Sequence, residues 1–178
     1  MTDLQVEEIR QHLNLLVGMR CWHLGAGKGT GSSFHLAFGK KLPRQVPLKM
    51  APEGDEYGEF EGEASILVWC TWRLDSPTSP VTSSDESPDV LARALKVLVG
   101  QEILEVVALP PAGDLCISFS KDLALRVFCD HIPGDPSFDG NWQIRVRDTV
   151  AGAGPGYQWQ LSHSDARKTP IGGEQTSG

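Results

Sequence analysis

No stretch of this sequence reaches the ~20 consecutive apolar residues that a membrane-spanning helix requires. The opening "MTDLQVEEIRQHLNLL" carries acidic residues and lacks the apolar run of a signal peptide. The chain is therefore expected to be cytoplasmic, with no membrane partner. Cysteine is sparse: Cys21, Cys70, Cys116 and Cys129 are far apart and none forms a C-x-x-C pair, so a Cys-rich zinc site has no local signature. In a cytosolic chain these thiols are expected to be reduced, buried and small-hydrophobic in character. Positive charge is in deficit, with 16 Lys and Arg against 23 Asp and Glu and a net charge of -7. That excludes nucleic acid as the main partner, because phosphate backbones need a basic surface, and leaves room for a basic protein partner.

The 178 residues are 40% hydrophobic and 22% charged, a composition that supports a sizeable core in one ordinary domain or two half-domains. The pattern is written twice. "LNLLVGMRCWHL" (13–24) parallels "LKVLVGQEILEV" (95–106), and "SSFHLAFGK" (32–40) parallels "GDLCISFSK" (113–121). Further on, Val68, Trp69, Cys70 and Trp72 match Val127, Phe128, Cys129 and Trp142 in the same order. This predicts an α+β fold: an internal duplication of a helix followed by an antiparallel β-meander, the two units sharing a core. Residues 1–74 form the first unit, 75–87 a polar linker, 88–161 the second unit and 162–178 a disordered tail.

In the first helix Val6, Ile9, Leu13 and Leu16 share a face. In the second, Ser87-Pro88-Asp89 is a start signal through a capping hydroxyl, and Leu91, Leu95 and Leu98 form the stripe. Gly18 and Gly100 end the two helices. Strands are expected at 19–24, 33–39 and 64–74, then at 101–109, 114–120, 123–130 and 141–147, with a last one at 157–161. An insertion at 40–63 is basic at first (Lys40, Lys41, Arg44, Lys49) and then acidic (Glu53, Asp55, Glu56, Glu59, Glu61, Glu63).

"GAGKGTGSS" (25–33) resembles a phosphate-binding loop. The first glycine of that motif would fall on Trp22, and "SSFHLAFG" alternates like a strand where a helix should follow, so the segment is read as a hairpin loop. Positions two apart on a strand share a face, so Cys21 and His23 are candidates to lie together. Matching cysteines on the buried faces favour a structural thiol over a nucleophile. Asp130, Asp135, Asp139 and Asn141 loosely resemble calcium ligands but miss the required spacing, and a solvated turn accounts for them. His12 and His35 are read as surface or satisfied histidines, and Trp22, Trp69, Trp72, Trp142 and Trp159 as packing residues. No catalytic residue, cofactor or metal site is assigned.

The stretch "GDLCISFSKDLALRVFCD" with the later Asn141-Trp142 resembles a pattern in small bacterial proteins similar to immunity proteins of polymorphic toxin systems. The resemblance implies a non-enzymatic protein that acts by contact with a protein partner, a basic toxin domain in that setting. The contact surface is expected on the inserted segment, where Glu56, Tyr57, Glu59 and Phe60 interleave carboxylates with aromatic anchors. The alternative is a small enzyme or ligand-binding protein with its site between the two units.

Overall fold

The computed structural model describes residues 3–49, 54–130, 140–154 and 159–163. It is a mixed α+β structure dominated by two antiparallel sheets, with two short helices. In chain order the elements are α1 (Asp3–Asn14), β1 (Cys21–Gly25), β2 (Phe34–Pro43), β3 (Phe60–Val68), β4 (Thr71–Asp75), β5 (Pro80–Ser83), α2 (Pro88–Leu95), β6 (Ile103–Leu109), β7 (Asp114–Phe119), β8 (Leu123–Phe128), β9 (Trp142–Val146), β10 (Thr149–Ala153) and β11 (Trp159–His163). One sheet has the order β1-β2-β3-β9-β10-β11, the other β5-β4-β8-β7-β6.

The alternating residues do what period-2 patterning demands. Phe34, Leu36, Phe38, Ile66, Val68, Leu115, Ile117, Phe119, Leu125 and Val127 all point into one core that draws on both halves of the chain. The inner faces of the sheets meet there: the Phe34 ring contacts the edge of Trp72 at 4.9 Å and Phe38 stacks on Phe119 at 6.4 Å. Ile9, Leu13 and Leu16 from α1 and Leu91, Leu95 and Leu98 from α2 close the same core.

Where one strand was expected over 64–74, the chain forms two. β3 ends at Val68, and Trp69-Cys70 carries the chain across to the other sheet, where β4 begins. After β8 the chain crosses in the opposite sense and β9 joins β3. The six-stranded sheet thus holds three strands from each half, and the five-stranded sheet holds three from the second half and β4 from the first. The span expected as a linker also contributes β5. Ser87 occupies the cap position of α2, but its hydroxyl makes no capping bond; its carbonyl accepts from Val90 and Leu91 instead.

Contacts in the two halves recur at matching places. Val68 pairs with Trp142, and Val127 with Trp72. The Trp72 indole N–H donates to the Ser32 carbonyl at 2.7 Å, and that of Trp142 to the Gly113 carbonyl at 2.7 Å. Gly18, with φ of 84°, donates to the Ile103 carbonyl at 2.8 Å; Gly100, with φ of 87°, donates to the Cys21 carbonyl at 2.8 Å. Positive φ there is the reason glycine ends both helices. Both first hairpins carry an irregularity at the same point, between Cys21 and His23 and between Ile103 and Glu105.

Candidate functional site on the outer face of the six-stranded sheet

The β1–β2 connection settles the local structure of "GAGKGTGSS". β1 and β2 pair antiparallel, so residues 26–33 are a hairpin loop and a strand follows the lysine. The loop is tied internally: Thr30 Oγ1 accepts from the Gly27 N–H at 3.1 Å and donates to the Gly27 carbonyl at 3.0 Å. Lys28 projects outward, 3.9 Å from Asp89. Gly25 has a separate role. A Cβ there would fall 1.8 Å from Cε1 of His35, its cross-strand partner, so the imidazole lies on the bare glycine backbone.

The irregularity in β1 decides where its side chains go. Cys21 enters the core and donates to the His23 carbonyl at 3.5 Å, while the His23 ring lies on the outer face against Tyr57. The expected convergence of the Cys21 thiol with the His23 imidazole does not occur, because a bulge breaks the alternation on which it depended. Burial pushes the Cys21 thiol up to about 12, the opposite of what a nucleophile needs. His131 lies outside the described residues.

The described parts of the insertion between β2 and β3, residues 44–49 and 54–59, fold back over this face as a strap. Arg44 N–H donates to the Glu59 carbonyl and Leu48 N–H to the Gly58 carbonyl, both at 2.9 Å. Glu56–Gly58 forms a single 3-10 turn whose cap, Asp55, accepts from the Tyr57 N–H at 3.0 Å. Tyr57 is half-buried and points at the sheet. Its ring stacks on His23 at 4.1 Å and 5°, meets His35 at 4.7 Å, and carries the Arg44 guanidinium at 4.5 Å. Trp22 borders the cluster and holds Lys41 above its ring. Arg44 and Arg145 flank the Glu61 carboxylate at 3.7 and 3.6 Å.

These surroundings keep both imidazoles neutral near pH 7. Burial, with the neighbouring His23 and Arg44 charges, pushes His35 down to about 4, against a smaller upward pull from Asp55. His23 is lowered chiefly by burial, with Asp55, 3.6 Å away, pulling it back. His35 Nε2 is buried without a hydrogen-bond partner. Next to this ring, a cavity of about 230 Å³ is lined by His35, Tyr57, Ser65 and Leu67 from the first half and by Gln143 and Arg145 from the second.

Of the residues singled out in the sequence, Glu56 is exposed and ion-paired with Lys41, and Glu59 is exposed. Tyr57 faces inward, and Phe60 is half-buried at the start of β3, opposite Pro43. Sequence reasoning missed Val46 and Leu48 of the same segment, which are 66% and 43% exposed. It also missed the cluster of His23, His35, Arg44 and Arg145. The signal available was weak: His23 and His35 stand on successive strands, and the strand holding Arg145 is far away in sequence.

Asn141 is fully buried; its carbonyl accepts from the Trp69 and Cys70 N–H groups, and its side-chain amide donates to Gly154. Asp130 bonds the Thr71 hydroxyl. Asp135 and Asp139 lie outside the described residues. His12, buried on α1, approaches the Ile144 carbonyl with Nε2 at 3.4 Å. Among the described residues, no three His, Cys, Asp or Glu side chains are grouped to hold a metal ion, and no helix is long and apolar enough to cross a membrane. No family model, curated protein or solved structure matches the chain.

Proposed function

We propose that the protein is a non-enzymatic, cytosolic binding factor that acts by contact with a basic protein partner, in the manner of an immunity or antitoxin protein. The observation that carries this reading is the construction of the strap. Tyr57 and Arg44 fix it to the sheet, while Glu56, Glu59, Val46 and Leu48 stay exposed. Exposed carboxylates and apolar side chains on one segment suit a cationic surface: the charge steers the encounter and the apolar contacts retain it. The net charge of -7 acts in the same direction.

We also infer that the chain arose by internal duplication. The paired tryptophan bonds, the paired glycine bonds and the exchange of strands between sheets support that reading. On this view the repeated scaffold supplies the fold, and the strap, which has no counterpart between β7 and β8, supplies the partner surface.

The test is the double substitution Glu56→Ala/Glu59→Ala, with Tyr57 left in place so that the strap stays anchored. Binding to the isolated partner is expected to weaken by roughly 10-fold and its salt dependence to flatten. Unchanged affinity in a folded double variant would refute the assignment. A second reading rests on the cavity between His35, Tyr57 and Arg145, which both halves line. A small molecule whose saturable binding is lost in Arg145→Ala would favour that reading.

A further inference from the structure

Cys70 and Cys129 stand at the two places where the chain leaves one sheet for the other. In the β4–β8 ladder Thr71 pairs with Phe128, and one step along the same antiparallel register sets Cys70 opposite Cys129. Neither residue gives its backbone N–H to the other. The Cys70 N–H donates to the Asn141 carbonyl at 3.3 Å, and the Cys129 N–H to Asp114 Oδ1 at 2.7 Å. They are thus a non-hydrogen-bonded cross-strand pair, the arrangement that brings Cα atoms to about 4.5 Å and side chains closest together. That spacing lies within the range a disulfide spans.

The Cys129 thiol donates to the Gly113 carbonyl at 3.2 Å. The same carbonyl receives the Trp142 indole N–H. Both residues are buried, Cys70 at 2% and Cys129 at 7% exposure, whereas Cys21 sits elsewhere in the core and Cys116 on an outer face.

We propose that Cys70 and Cys129 are a redox-active pair that closes to a disulfide and joins the two halves of the chain covalently at their crossover. With a low-molecular-weight disulfide such as oxidised glutathione as oxidant, the more exposed Cys129 attacks first, as thiolate, and expels one glutathione thiolate. The Cys70 thiolate then attacks the Cys129 sulfur of the mixed disulfide and expels the second. Two protein S–H bonds are lost, one S–S bond forms, two glutathione thiols are produced, and the protein pair is oxidised by two electrons. The hydrogen bond to Cys129, aided by burial, holds the Cys70 thiol well above its ordinary value. Closure therefore depends on transient opening of the crossover, and in a reducing compartment the pair stands as two thiols.

The experiment uses the full chain in two ways: refolded from denaturant in glutathione redox buffer, and treated natively with diamide. In each case thiols are counted in denaturant, and proteolytic peptides are mapped by mass spectrometry. The expected result is loss of two of the four thiols, a Cys70–Cys129 peptide, and a rise in Tm of roughly 10 °C over the reduced chain. Cys70→Ala and Cys129→Ala should each abolish the loss. Retention of all four thiols by chain that has regained its native circular dichroism would overturn the proposal, as would a dominant pairing that includes Cys21 or Cys116.

Discussion

The outer faces of the two sheets are finished differently. In the six-stranded sheet, His35 of β2 pairs with Gly25 of β1; in the five-stranded sheet, Cys116 of β7 pairs with Val107 of β6. The first face is covered by the strap, which enters between β2 and β3. On the second, β7 reaches β8 through Ser120–Asp122 alone, and Leu104, Val107 and Phe128 stay 53%, 37% and 38% exposed. The inward residues are apolar and alternate alike on both sheets, because each sheet must close the same core. The outward residues carry no such constraint, so His23, His35 and Tyr57 collect on the first face, while the second carries the exposed pair Arg73 and Arg126. The comparison teaches that the packing scaffold and the candidate site are separable layers of this protein.

The largest effects are expected at the two buried tryptophans. Trp72→Ala and Trp142→Ala should each cost ~3–5 kcal/mol in denaturant unfolding, since each removes a fully buried ring and its indole hydrogen bond, to the Ser32 or the Gly113 carbonyl. A cost near zero for one and large for the other would break the equivalence. Gly25→Ala and Val107→Ala probe the point at which the faces diverge. The first drives a methyl into the His35 ring and should cost about 1–3 kcal/mol, with loss of the ring-current shifts between Tyr57 and His35. The second trims an exposed strand residue and should stay within about 1 kcal/mol.

The effect of pH is modest. His35 titrates at about 4 in the folded chain against an ordinary 6.5, so between those values the unfolded chain binds more protons than the native one. Its contribution to stability is complete above pH 6.5 and is lost as pH falls toward 4; His23, also lowered, acts in the same direction. Allowing for solvent screening of a partly open ring, the loss should be about 1–2 kcal/mol. It is measurable as a falling urea midpoint, and His35→Gln should remove most of it. A midpoint that does not change over this range would mean that the strap does not enclose the imidazoles.

Local pattern was enough to say which residues face the core and where the helices stop. Alternation and positive-φ glycine are local properties: Phe34, Leu36 and Phe38 declare a strand face, and Gly18 a helix end, without reference to anything distant. The aromatic and acidic character of Glu56, Tyr57, Glu59 and Phe60 was legible too, but not their directions. Tertiary structure alone decided that Tyr57 turns inward onto His23, that the β1 bulge sends Cys21 and His23 to opposite sides, and that Trp69-Cys70 carries the chain between sheets. Each of these depends on contacts between residues far apart in the chain. The β3–β4 break has no local turn chemistry to announce it. It is fixed by Trp72 seeking the Ser32 carbonyl and Val127 in one sheet while Val68 pairs with Trp142 in the other, and a pairing of that range leaves no local mark in the sequence.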